Sequence, residues 1–163
     1  MDTIKQPIII LGSDHGGFAH KQAIIKWLEE HGYQFEDVGA HQFDAKDDYP
    51  QFALAVAQRV AQAQSMVTQP PTIGIVTCRS AGGVTIAVNK VVGIRGVTIF
   101  DEKSAVHAKE HNDANIVTLS GDWTSQEQAV QLVQIFLNTQ FTQAERHIRR
   151  LAQISEFEKQ MHN

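Results

Sequence analysis

Ile73-Gly74-Ile75-Val76-Thr77-Cys78-Arg79-Ser80-Ala81-Gly82-Gly83 contains one full repeat of the chain's plan. The stretch Ile73–Thr77 is a short β-branched run that reads as a buried strand. Arg79–Gly83 is a glycine-containing loop, and the residues beyond it predict a helix through Ile86 and Asn89. The same unit recurs on both sides. Upstream, Pro7–Leu11 is a strand ending at Gly12, followed by Phe18, Ile24, Ile25 and Leu28 near helical spacing and a stop at His31-Gly32. A weaker strand at Gln34–Val38 precedes a helix that starts beside Pro50 and carries Phe52, Val56, Val60 and Ala63. A turn at Gln69-Pro70-Pro71 leads back to the quoted stretch. Downstream come a strand at Ile94–Phe100, a helix at Glu102–Glu110, a strand at Asn115–Leu119 and a helix marked by Ala129, Leu132, Val133, Phe136 and Leu137. A last helix runs from about Thr142 to Met161.

Strands alternating with helices predict an α/β fold: a three-layer, Rossmann-like sandwich with a five-stranded parallel sheet in the order 2-1-3-4-5. Helices cover both faces, and a C-terminal helix follows. The 163 residues form one domain, long enough to bury a core without disulfides or metals. In such sheets ligands bind outside the carboxyl ends of the strands. That rule singles out Ser13–Gly17, Cys78–Gly83 and the loop after the fourth or fifth strand.

Composition narrows the partners. With 42% hydrophobic residues, 20% charged residues and a formal net charge of −4, neither nucleic acid nor a membrane surface is expected. Met1–Gln6 has no apolar run of signal-peptide length, and Cys78 is the sole cysteine, so a reducing cytoplasm is the expected location. No metal set is expected either. The eight histidines are scattered, no pair four apart falls within one predicted helix, and a lone cysteine excludes a thiolate cluster. Neither a Walker loop nor a dinucleotide fingerprint occurs.

Cys78 ends an apolar strand and meets loop amides that lead into a helix, a place for developing negative charge. A thiol there, beside Arg79, is expected to ionise more readily than a free one and to move a carbon-bound proton. It reads equally well as a small buried strand-end residue. Asp14-His15 could set a carboxylate and an imidazole over the same pocket, or Asp14 could cap the next helix. His111-Asn112-Asp113 offers an acid–base group near neutrality, although asparagine and aspartate also suit helix ends for backbone reasons. Arg146, His147, Arg149 and Arg150 put cations at the start of a helix, where the dipole disfavours them. They imply either a bound anion or a solvated face paired with Glu145 or Glu156.

Taken together, Gly12–Phe18, Asp48-Tyr49-Pro50, Cys78 with Ile86–Lys90, Gly93-Ile94-Arg95, His111–Asn115 and Arg146-His147 with Arg150 resemble the ribose-5-phosphate isomerase type B family, which includes the galactose-6-phosphate isomerase subunits. The resemblance runs from Ile8 to about Leu151. It implies a homodimer or dimer of dimers with sites at the subunit interface, residues 142–163 packing on a partner subunit. It also implies cofactor-free interconversion of an aldose phosphate and a ketose phosphate (a tetrose, pentose or hexose phosphate) through a cis-enediolate. By position, Cys78 resembles the carbon acid–base residue and His111 with Asp14 the ring-opening pair. Ser80 matches a hydroxyl that assists proton transfer between substrate oxygens. Tyr49 and Asn112 resemble substrate contacts, Ala81, Gly82 and Gly83 the enediolate cradle, and His15, Arg146 and Arg150 phosphate contacts.

Two departures stand out. The family's Cys-Gly-Thr-Gly-x-Gly is Cys78-Arg79-Ser80-Ala81-Gly82-Gly83 here, and its Gly-x-Arg after the fifth strand is Ser120-Gly121-Asp122. One cation is lost and another gained, so Arg79 is expected either to replace the missing phosphate ligand or to pair with Asp122. Two other function classes remain open at this level: a sugar-phosphate-binding module of the same fold without catalysis or with an altered substrate, and a thiol redox sensor needing an outside resolving cysteine.

Overall fold

The computed structural model describes residues 6–66 and 70–162. The chain order is β1 (Ile8–Ser13), α1 (Phe18–Glu30), β2 (Phe35–Asp37), α2 (Tyr49–Gln64), β3 (Thr72–Cys78), α3 (Gly82–Val88), β4 (Gly96–Thr98), α4 (Glu102–Glu110), β5 (Ile116–Ser120), α5 (Gln126–Asn138) and α6 (Glu145–Met161). The turn expected at Gln69-Pro70-Pro71 lies partly outside the described residues.

All four strand pairings are parallel, and period-two alternation sorts the strand residues between two cores. Ile9, Leu11, Ile73, Ile75, Val117 and Leu119 face a layer of α1, α4 and α5. Ile10, Val76, Cys78 and Ile116 face α2 and α3. The parity that points Ile10 at α2 continues through Gly12, where an added Cβ would lie 2.7 Å from Val56, to Asp14 just past the strand. Asp14 and Cys78 are therefore carried to the same face of the sheet. Helices α4 and α5 begin with reciprocal caps, Asp101 with Ser104 and Ser125 with Gln128, which satisfy the first free amides.

The strand order is β2-β1-β3-β5-β4, not the 2-1-3-4-5 expected from the sequence. Burial explains the exchange. Every residue of β5 is buried, whereas β4 is three half-buried residues, so β5 takes the central slot beside β3 and β4 the edge. Crossover handedness agrees. The path β3–α3–β4 skips a slot outward and β4–α4–β5 returns, which puts α4 on the α1 and α5 face, where Ala105 and Ala108 pack. An order ending 3-4-5 would place α4 against α3 instead. Among the described residues, no helix is long and apolar enough to cross a membrane.

Candidate active site

The loop after β1 is clamped to the end of β3. An added Cβ at Gly17 would sit 2.2 Å from the Thr77 carbonyl carbon, and Thr77 Oγ1 donates to the Gly17 carbonyl at 2.8 Å. The clamp leaves Asp14 buried, its Oδ1 accepting from the Gly17 amide at 3.1 Å. Burial pushes the Asp14 carboxyl above the usual aspartate range, and the Gly17 amide pulls part of the way back. Asp14 thus braces the turn before α1, whose N-cap is Gly17, and does not cap the helix as one reading of the sequence expected.

Next to it, the His15 amide donates to Asp47 Oδ1 at 2.9 Å and the ring Nδ1 meets the same oxygen at 2.7 Å. The Asp47 hydrogen bond holds His15 above the ordinary histidine range, against the opposing effects of partial burial and of Arg79.

Cys78 is 4% exposed at the end of β3, and its Sγ accepts from the Ala81 amide at 3.1 Å. Burial pushes the thiol up; the Ala81, Ser80 and Val84 amides lower it, and the Asp14 charge raises it further. This reverses the expectation of a thiol that ionises readily: in the single chain, dehydration outweighs the loop amides. Arg79 does not help, because its side chain turns away from the sulfur. The stem crosses Gly16, where an added Cβ would be 2.0 Å from Arg79 Cγ, and Nε reaches Asp122 Oδ1 at 3.3 Å. Of the two roles expected for Arg79, the structure displays the pair with Asp122.

The loop after Cys78 is tightly shaped. Ala81 is buried with φ +64°, a left-handed conformation that costs an alanine about 1 kcal/mol. Its carbonyl accepts from Thr85 Oγ1 at 2.8 Å, and that hydroxyl also meets Thr98 and Thr118. Gly83 is required by Tyr49, since an added Cβ would lie 2.6 Å from the phenol Cζ. A Cβ at Gly82 would meet nothing within 4 Å, so this glycine opens on free space. Ser80 is exposed on the rim. Asp14, His15, Tyr49 and Cys78–Gly83 are therefore gathered at the carboxyl ends of β1 and β3.

The remaining expected residues lie elsewhere. His111 is the C-cap of α4. Its ring is stacked between those of His107, at 4.3 Å, and His147, at 4.6 Å. His107 and His111 are four apart, yet stacked rings do not converge two nitrogens on one metal ion. His147 is buried, its Nε2 without a partner, and burial followed by the Arg146, His111 and Arg150 charges pushes it below the ordinary histidine range. Asn112 is exposed, and its carbonyl, with that of Asp113, is gripped by Arg95. This cluster adjoins the start of β5, opposite the end that holds Cys78. Gly74 pairs with Ile116 and Cys78 with Ser120, so four strand residues, about 13 Å, separate the levels. His111, Asn112, Arg146 and Arg150 therefore lie at the other end of the strands from Cys78 of their own chain.

Asp47 escaped the sequence reading; the only signal for it was an aspartate pair ahead of Tyr49-Pro50. Asp14, His15 and Asp47 each present an atom within 4.8 Å of the others, a spacing a metal ion could span. The geometry argues against it, because His15 Nδ1 and Asp47 Oδ1 lie 2.7 Å apart, a direct hydrogen-bond distance that leaves no room for an ion between them.

Comparison with known proteins follows the same residues. Residues 9–154 match the family model described as ribose/galactose isomerase. The chain belongs to that family. It is 40% identical over 151 residues to ribose-5-phosphate isomerase B of Mycolicibacterium paratuberculosis, covering 93% of this chain and 91% of the relative. Its structure resembles that of ribose-5-phosphate isomerase B from Mycoplasma genitalium with bound ribulose-5-phosphate, with TM-score 0.87, 34% identity and coverage of 93% and 96%. The Clostridium thermocellum ribose-5-phosphate isomerase B gives TM-score 0.86, 36% identity and coverage of 94% and 99%. Membership makes this chain an isomerase.

Proposed function

We propose that the chain interconverts an aldose phosphate and a ketose phosphate, ribose 5-phosphate and ribulose 5-phosphate first, with Cys78 as the base. The observation that carries the reading is the Cys78 sulfur at the end of β3, on the same sheet face as Asp14 and facing the amides of the 80–84 loop. The Cys78 thiolate takes the C2 proton of the open-chain aldose. The C–H electron pair becomes the C1–C2 double bond, and the carbonyl pair moves onto O1. Amides of Ala81 to Gly83 stabilise that oxygen. Ser80 carries a proton between O2 and O1, and Cys78 returns its proton to C1, leaving a ketone at C2.

Ring opening and phosphate binding need both clusters, so the site is shared between two copies, with His111, Asn112, Arg146 and Arg150 entering from the partner. Helix α6 supports this arrangement. Ile148, Leu151, Ile154 and Phe157 recur every third residue and Met161 follows, and of this run Ile154, Phe157 and Met161 are 60%, 63% and 66% exposed. A second copy that covers this face would carry the basic first turn to the carboxyl ends of β1 and β3. Arg79 adds a cation at the rim. Its exposed pair with Asp122 is worth roughly 0–1 kcal/mol, so an arriving phosphate can open it. The thiol must stay reduced, which suits the cytoplasm.

The test is exchange of the substrate C2 proton with solvent deuterium, followed by NMR over pentose and hexose phosphates. Cys78→Ala should bind substrate, keep its melting temperature and lose exchange by about 10³-fold or more. Full exchange in that variant, or tight binding without exchange in the wild type, contradicts the reading.

A further inference from the structure

Asp47 lies outside every motif discussed for the reaction, yet it is bound more closely to His15 than any other side chain is. Its side chain is 6% exposed while that of His15 is 29% exposed. One oxygen, Oδ1, accepts from both the His15 amide and the ring Nδ1. The other, Oδ2, is buried with no partner. A carboxylate held this way against the ring Nδ1 favours the cationic form of the imidazole. With Nδ1–H committed to Asp47, the free Nε2–H is the donor left for a ligand, and the bond from the His15 amide to the same oxygen fixes the ring's direction. Phe43 packs edge-on against the ring at 6.3 Å and limits its swing.

We infer that Asp47 is the positioning residue of the anion site: it keeps His15 protonated and turned so that Nε2–H meets the substrate phosphate. The inference rests on the proposed reading of His15 as a phosphate contact and deepens it. The Asp47 segment also leads directly into α2, whose Tyr49 lies on Gly83, so one short stretch sets both a phosphate contact and a sugar contact. The charges that face His15 are Asp14 and Asp47, which favour its cation, and Arg79, which opposes it.

The experiment compares wild type, Asp47→Asn, Asp47→Glu and His15→Gln, with the Asp47→Asn substitution also made on the His15→Gln background. Carbon-13 NMR of labelled histidine follows His15 with no substrate present. Asp47→Asn should lower its titration midpoint by about one pH unit, and Asp47→Glu should restore it in part. At pH 8, the KM for ribose 5-phosphate should rise about tenfold in Asp47→Asn with kcat changed less than about twofold, and the penalty should shrink at pH 6, where the ring protonates without help. On the His15→Gln background the same substitution should add nothing. An unchanged midpoint, an equal loss of kcat at every pH, or a full additional loss on the His15→Gln background would overturn the inference. Should Asp47→Asn fail to fold, a partly lowered His15 midpoint in Asp47→Glu together with a raised KM at pH 8 supports the inference, and a lowered midpoint with a normal KM, or no change in either, overturns it. Should the wild type isomerise no sugar phosphate, the functional reading falls while the His15 titration still decides the link to Asp47.

Discussion

At the carboxyl ends of β1 and β3, polar groups are buried and answer one another: Asp14 takes the Gly17 amide, Asp47 takes His15, and Cys78 takes the Ala81 amide. At the amino end of β5 the pattern is opposite. Three histidine rings stack in a row, Arg146 and Arg150 flank the buried one, and among the described residues neither arginine enters an ion pair. The first region holds more carboxylates than cations. The second is a cationic surface at a helix start, where the dipole already disfavours positive charge. Each has the charge the other lacks, and their positions at opposite ends of the strands prevent them from meeting within one chain. Complementary halves that cannot meet inside one copy suit a two-fold dimer, in which each partner completes the other's site.

The comparison breaks most severely if His111 proves idle. His111→Ala should lower kcat on the cyclic sugar phosphate by about 10²-fold or more, because ring opening loses its acid–base group. A normal rate would leave the β5 cluster without a part in the reaction. Next in size, Arg150→Ala should raise KM about tenfold and be rescued by more substrate. A loss of turnover at saturation would count against a phosphate contact.

Titration sharpens the contrast. The His15 ring, raised by Asp47, contributes stability that is complete below the ordinary histidine value of 6.5 and is lost as pH rises through its higher folded value. For His147, lowered by burial and by Arg146, the contribution is present above 6.5 and lost as pH falls through its lower folded value. Histidine NMR should therefore find the two midpoints on opposite sides of 6.5. Acidification should loosen α6 amides to hydrogen exchange before it disturbs the β1 loop. Because the Cys78 thiol is also raised, kcat should keep climbing above neutral pH while KM worsens as His15 deprotonates.

The smallest effect belongs to the rim. Asp122→Asn should move stability by less than about 0.5 kcal/mol and lower KM about twofold, by freeing Arg79 for the phosphate. Arg79→Gly should raise KM, and unchanged kinetics in that variant would remove Arg79 from the site.

These outcomes bear on what a linear chain reveals. The α/β layering was legible because strands and helices announce themselves by period. The order of the last two strands was not. Ile94–Phe100 is a longer apolar run than Asn115–Leu119, yet only Gly96–Thr98 pairs as strand, and Phe100 stands in solvent. Strand–helix alternation does not encode which strand is central, and full burial of β5 decided it. Within the site, Asp14, His15 and Cys78–Gly83 were legible because each follows a strand. Asp47 was not, since its partner lies 32 residues away. The Cys78 acidity was misjudged in sign because loop amides can be read from sequence and dehydration cannot. His111 was legible as a candidate by residue type alone, while its placement at the amino end of β5 depended on a register that only the folded sheet supplies.

Subunit mixing tests the shared site most directly. Cys78→Ala and His111→Ala proteins, each inactive alone, are combined in equal amounts and allowed to exchange subunits. Half of the dimers are then hybrids, and each hybrid has one site free of both substitutions, so activity should return to about a quarter of wild type. Hybrids that demonstrably form and yet remain inactive would contradict a site built from Cys78 of one copy and His111 of the other.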